Sequence, residues 1–185
     1  MCNCTKSRIV RAGAGSRGLP GAGTGAPQMV PEPDYPPIGI PTVDTAIWGP
    51  ALWTVLHTLA EFTHAHGLYT HWVDTLRSLV GNLPCPECAF HYEQWCRKNG
   101  LPKPRRTADL HIATRTWVGR LHNAINARNG SAAGTWNYPQ LTAVYGGDRT
   151  ERFVVVMGML GRLQGLLGAP AWASLSALVG QIEAT

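Results

Sequence analysis

The chain has 185 residues, of which 15% are charged and 44% apolar, and a formal net charge of +5. That length suits one ordinary domain with tails. The basic residues are dispersed apart from Lys103-Pro104-Arg105-Arg106, and no nucleic-acid motif accompanies them, so nucleic acid is not an expected partner. The cysteines are Cys2, Cys4, Cys85, Cys88 and Cys96, an odd set that does not make a secreted disulfide framework.

Residues 1–45 are rich in Gly, Pro and Ala and lack hydrophobic periodicity, so they read as a disordered leader carrying Cys2 and Cys4 near its tip. Met1 to Lys6 has no apolar core of the kind a signal peptide carries. A first helix is expected from Ala46 to about His66, capped by Asp44 or Thr45, with Pro50 in its first turn. Leu52, Leu56, Leu59 and Ala60 recur at helical spacing, and Trp53 and His57 share a flank. A second helix is expected over Thr70–Leu83, and a third from the cysteine pair to Gly100, passing His91 and Trp95. Thr107 is placed to cap a fourth, on which Leu110, Thr114, Trp117, Leu121 and Ile125 form a seam.

After Gly130 a polar loop leads to Trp136-Asn137-Tyr138-Pro139 and a short helical turn ending at Tyr145. Gly146-Gly147 reads as a domain edge, beyond which two apolar helices are expected over Asp148–Leu167 and Pro170–Ile182. The longer apolar stretch, Phe153 to Leu167, is short for a bilayer and carries Arg162 and Gln164, so no membrane span is expected. No alternating β-branched run proposes a sheet. The expected fold is all-α: a four-helix bundle with a short fifth helix over 46–146, and a helical extension over 147–185.

Cys85-Pro86-Glu87-Cys88 is the stretch with chemistry in it. Pro86 fits the first helical position, where an N–H would have no partner. The positive helix end there favours thiolate, the species that attacks disulfides. Alone, the motif is shared by thioredoxin-like folds and zinc sites. The first needs a strand before the helix. The second needs two further ligands, for which Cys96 and His91 are the candidates. Aromatic and hydrogen-bonding side chains on three helices near the pair suit a planar heteroaromatic cofactor within a bundle.

Trp48-Gly49-Pro50-Ala51-Leu52-Trp53-Thr54-Val55-Leu56-His57 resembles the opening signature of the Erv/ALR flavin-dependent sulfhydryl oxidases. Cys85-Pro86-Glu87-Cys88 with His91 follows in order, and His122-Asn123-Ala124-Ile125-Asn126 resembles the family's His-Asn box. The resemblance covers about Ala46 to Tyr145. It implies a helical bundle binding FAD, in which protein thiols reduce Cys85–Cys88, the pair reduces FAD, and molecular oxygen takes the electrons to give hydrogen peroxide. It also implies that Cys85 is the exposed sulfur attacked by substrates and Cys88 the one nearer the flavin. Trp48, Trp53, His57, His91, Trp95, His122, Asn123, Asn126, Arg128 and Tyr138 match or neighbour cofactor-lining positions, with Trp136 an alternative to Tyr138. Cys2 and Cys4 take the place of the mobile shuttle pair of relatives; about 40 flexible residues reach roughly 35 Å.

Gly119 stands where many relatives carry a clamp cysteine, which leaves Cys96 as an unpaired helix thiol. A homodimer is implied by the minimal family domain. The family compartments are host cytoplasm or virion for large DNA viruses, the mitochondrial intermembrane space and the endoplasmic reticulum. The missing clamp favours the first, with the intermembrane space as the alternative. The rival reading from another class is a zinc-binding or helical interaction module without redox activity.

Overall fold

The computed structural model describes residues 43–63, 67–103, 106–130 and 135–185. Among these, the secondary structure is entirely helical: α1 Thr45–Phe62, α2 Tyr69–Ser78, α3 Pro86–Asn99, α4 Leu110–Arg128, α5 Tyr138–Tyr145, α6 Arg149–Leu163 and α7 Ala169–Glu183. The leader, with Cys2 and Cys4, lies outside the described residues.

Helix α1 is the axis of the molecule. Trp48, Leu52, Val55, Leu56 and Leu59 are buried, and so are His57, Thr58 and Glu61, so most of its circumference is covered. A helix apolar nearly all round belongs inside. Helices α4, α5 and α6 pack on it, and α7 packs on α2. Asp44 caps α1 by accepting from the Ala46 N–H at 2.9 Å. Pro50 falls in the second turn rather than the first, because the helix already starts at Thr45. Its missing N–H leaves the Ala46 carbonyl without the usual partner four residues on.

Three boundaries differ from the sequence expectation, one of them the end of α6, at Leu163 rather than the expected Leu167. Helix α2 stops at Ser78, not Leu83, because the chain turns through Gly81 at φ 72° and approaches Pro84. Thr107 opens a 3₁₀ turn, Thr107–Asp109, instead of capping α4, and Asp109 takes the Arg106 guanidinium in place of a backbone N–H. Helix α1 ends at Phe62, and the residues to His66 lie outside those described.

Helix α3 is held mainly by side chains. Tyr92 Oη donates to the Leu76 carbonyl at 2.7 Å, and Trp117 Nε1 donates to the Gly100 carbonyl at 2.8 Å. Helix α5 seats Leu141 against α4 at Gly119, where a Cβ would stand 2.8 Å from Leu141 Cδ1. The residue expected to be a clamp cysteine in relatives is here the small residue that admits α5. After α6, Gly168 donates its N–H to the Asn82 carbonyl at 2.9 Å. A Cβ on Gly168 would fall 2.1 Å from Asn82 Oδ1, so this junction between α7 and the end of α2 requires glycine. Phe153, Val156, Leu160 and Leu163 of α6, and Leu175, Leu178, Val179 and Ile182 of α7, join the same core as α1 and α2.

Candidate active site

Helix α3 starts at the cysteine pair. Cys85 is its N-cap in extended geometry, and Cys85 Sγ accepts from the Cys88 N–H at 3.2 Å. Pro86 occupies the first turn, as its ring geometry prefers. Cys85 and Cys88 form a disulfide with Cα atoms 5.1 Å apart, both at the positive end of the α3 dipole.

The disulfide lies in the wall of a cavity of about 400 Å³ between α1, α3, the end of α2 and α4. Trp48, Gly49, Leu52, Trp53, Leu56, Leu79, Leu83, Leu121 and Ile125 make most of its surface, and His91, Glu87, Arg128 and Asn129 supply polar groups. Apolar walls with a few polar groups are the usual make-up of a cofactor site. Gly49 matters to the space: a Cβ there would meet nothing within 4 Å.

Behind Trp53 stands a second layer of rings. Trp53 stacks on His122 with centroids 4.0 Å apart and planes within 5°, and His57 stacks on Tyr145 at 4.5 Å and 11°. His57 Nε2 and His122 Nδ1 are 2.9 Å apart, so one imidazole donates to the other. Burial lowers the His57 pKa to about 3, with His122 beside it adding to the fall, and burial lowers His122 to about 4. Both rings are therefore neutral, which the shared proton between them requires. In the unfolded chain each binds a proton near pH 6.5. The stabilisation is complete above that pH and is lost as pH falls toward 4 and 3. Each ring contributes on the order of 3 kcal/mol to this term. Denaturant midpoints are expected to fall steeply between pH 6.5 and 4, and His122→Gln should flatten that slope.

Other predicted residues are placed differently. His91 sits at the cavity near Arg128 and Glu87, and burial followed by the Arg128 charge lowers its pKa. Arg128 Nη2 lies 3.4 Å from Glu87 Oε1. Asn123 is occupied with the backbone of Trp136, donating to its carbonyl and accepting from its N–H, both at 2.8 Å. Asn126 is buried on the same helix. Neither it, His57, His122 nor Asn123 is part of the cavity wall. Trp95 packs against the core, also away from the wall, with its indole N–H buried and unpartnered among the described residues. Tyr138 lies under Arg115, whose guanidinium carbon is 3.9 Å from the ring centroid, and not at the cavity. Six of the predicted residues thus line one space: Trp48, Trp53, Cys85, Cys88, His91 and Arg128.

The model of the Erv1/Alr family matches residues 50–143, half of the chain. The chain belongs to the Erv1/Alr family. No curated protein and no solved structure matches it. The match runs from Pro50 of α1 to Ala143 within α5, so it contains the disulfide and the Trp53–His122 stack and stops short of Tyr145 and α6. This family is in general one of FAD-linked sulfhydryl oxidases, and the cavity of the Erv1/Alr chain fits a flavin by its own features: an apolar slot flanked by two indoles, space left open at Gly49, and a disulfide in its wall. The sequence missed Tyr145, which has no spacing relation to His57, and Leu79 and Leu83, which reach the cavity because α2 ends early. No described helix is long and apolar enough to cross a membrane.

Proposed function

We propose that this protein is an FAD-dependent thiol oxidase that forms disulfides in protein substrates. The observation that carries this reading is the Cys85–Cys88 disulfide set in the wall of an apolar cavity flanked by Trp48 and Trp53. When bound there, FAD supplies a two-electron acceptor that molecular oxygen restores, with hydrogen peroxide as product. The chain's own residues do the rest. Trp48 and Trp53 offer flat apolar surface to a ring system, while His91 and Arg128 offer donors to its polar parts. The α3 N-terminus stabilises the thiolate released when the disulfide opens. Cys2 and Cys4 relay electrons from bulky substrates to Cys85; changing both to Ser should slow oxidation of protein substrates and spare small dithiols.

The direct test is purified protein as it comes. It should be yellow, and it should consume oxygen when given a dithiol. Folded protein that stays colourless after incubation with FAD would sink the assignment. The zinc-binding alternative is less well supported: among the described residues no group of three or more His, Cys, Asp or Glu is placed to hold a metal, and Cys85 and Cys88 are bonded to each other.

A further inference from the structure

The sulfur expected to meet substrates is the more enclosed of the pair. Cys85 is 6% exposed, whereas Cys88 is half-buried. The backbone beside it is tied down. Val43 donates its N–H to the carbonyl of Pro84, the residue before Cys85, at 3.1 Å. Its own carbonyl accepts from Trp48 Nε1 at 3.2 Å. The residue leading into α1 is therefore tied on one side to the segment that carries Cys85 and on the other to the cavity wall. Asp44, next in the chain, is committed to capping α1.

We propose that Val43 is a gate on Cys85: its bond to Pro84 opens before a protein thiol reaches Cys85 Sγ, and this selects cysteines on extended, flexible segments over cysteines fixed on a folded surface. The inference rests on the thiol-oxidase reading. Opening the tie leaves the Pro84 carbonyl in need of a donor, and the backbone N–H of an extended substrate can take Val43's place, as in strand addition. A cysteine on a rigid surface has no free backbone to offer. The exchange itself is balanced without a further reagent. A substrate thiolate bonds to Cys85 Sγ, the Cys85–Cys88 bond breaks, and its electron pair leaves on Cys88 as thiolate. A second substrate thiolate then bonds to the substrate sulfur and releases Cys85 as thiolate. The substrate has lost two electrons, the protein disulfide has gained them, and the protons of the substrate thiols have passed to solvent.

The test uses the full-length oxidised protein without oxygen, in a Cys2→Ser, Cys4→Ser background so that substrate thiols must meet Cys85 directly. Bleaching of any bound flavin is counted together with the opened disulfide. Reduced, unfolded ribonuclease A and dithiothreitol serve as the two thiols, and free Cys85 and Cys88 are read by alkylation and mass spectrometry. Val43→Pro removes the N–H donor. The net worth of one such hydrogen bond corresponds to about a tenfold change in the open population. Opening by ribonuclease is expected to be about tenfold faster in Val43→Pro, and opening by dithiothreitol no more than about threefold faster, because the smaller reagent needs less room. Equal ribonuclease rates in the variant and the natural chain overturn the gate and leave the oxidase reading standing. A natural chain whose disulfide neither thiol opens overturns both. Hydrogen exchange at the Val43 amide needs no variant: protection supports the gate, and exchange at the rate of an unstructured peptide overturns it.

Discussion

Gly49→Leu is expected to yield a folded protein that no longer binds flavin. Gly49 lines the cavity on α1, and a Cβ added there meets nothing within 4 Å, so a side chain is added at the wall without a clash against the core. Within a helix, leucine is favoured over glycine by nearly 1 kcal/mol. The variant should therefore melt at the same temperature as the flavin-free natural chain, or slightly higher. The cavity is only about 400 Å³, and a leucine side chain on its wall would take up volume that a ring system held between Trp48 and Trp53 would need. A loss of affinity for FAD of at least a hundredfold is expected, about 3 kcal/mol. Absorbance of the purified variant and titration with FAD measure this. A yellow Gly49→Leu protein with natural affinity would separate the cavity from the cofactor. Because stability and binding are expected to move in opposite directions, general unfolding cannot imitate the result.

The second large effect concerns charge. Glu61 and Arg115 are 7% and 4% exposed, and Arg115 Nε lies 2.6 Å from Glu61 Oε1. Arg115 Nη1 also donates to His111 Nε2 at 2.8 Å and to Tyr138 Oη at 2.6 Å. Burial and then the Arg115 charge lower the His111 pKa, so His111 is a neutral acceptor there. Its 3.5 Å approach to Glu61 is accordingly not an ion pair, and Glu61 is the charge that balances Arg115. Removing one member of a buried pair strands the other. Glu61→Ala should cost roughly 3–5 kcal/mol, a fall of roughly 10 °C in melting temperature for a chain of this size. Adding Arg115→Met to that variant should return part of the loss, since the stranded cation goes with it. A double variant no more stable than Glu61→Ala would show that the cost came from lost packing.

What could be read from the chain beforehand follows from how far its signals reach. Asp44 as a cap, Pro86 in the first turn of a helix, and Trp53 with His57 on one flank are relations within a few residues, and each is present in the fold. Helix boundaries were weaker where a tertiary contact overrode the pattern. Leu79 and Leu83 continue the apolar spacing of α2, yet they serve the cavity from the turn beyond it. The pairings between distant positions left no local trace: Glu61 with Arg115, His57 with Tyr145, and Val43 with Pro84 each join residues with no shared periodicity. Cys85 shows the limit most clearly. The resemblance implies that it is the exposed sulfur, and only the fold shows it to be 6% exposed.

The two helices that follow the family match change what counts as the working unit. Residues of α6 lie along α1, whose other side forms the cavity, while α7 backs α2, from whose end Leu79 and Leu83 reach inward. A chain ended at the last matched residue would uncover the faces of α1 and α2 on which α6 and α7 pack, and so leave two elements that build the slot without a backing. In this protein the last forty residues are a buttress, and trimming to the shared family length would take away masonry rather than ornament.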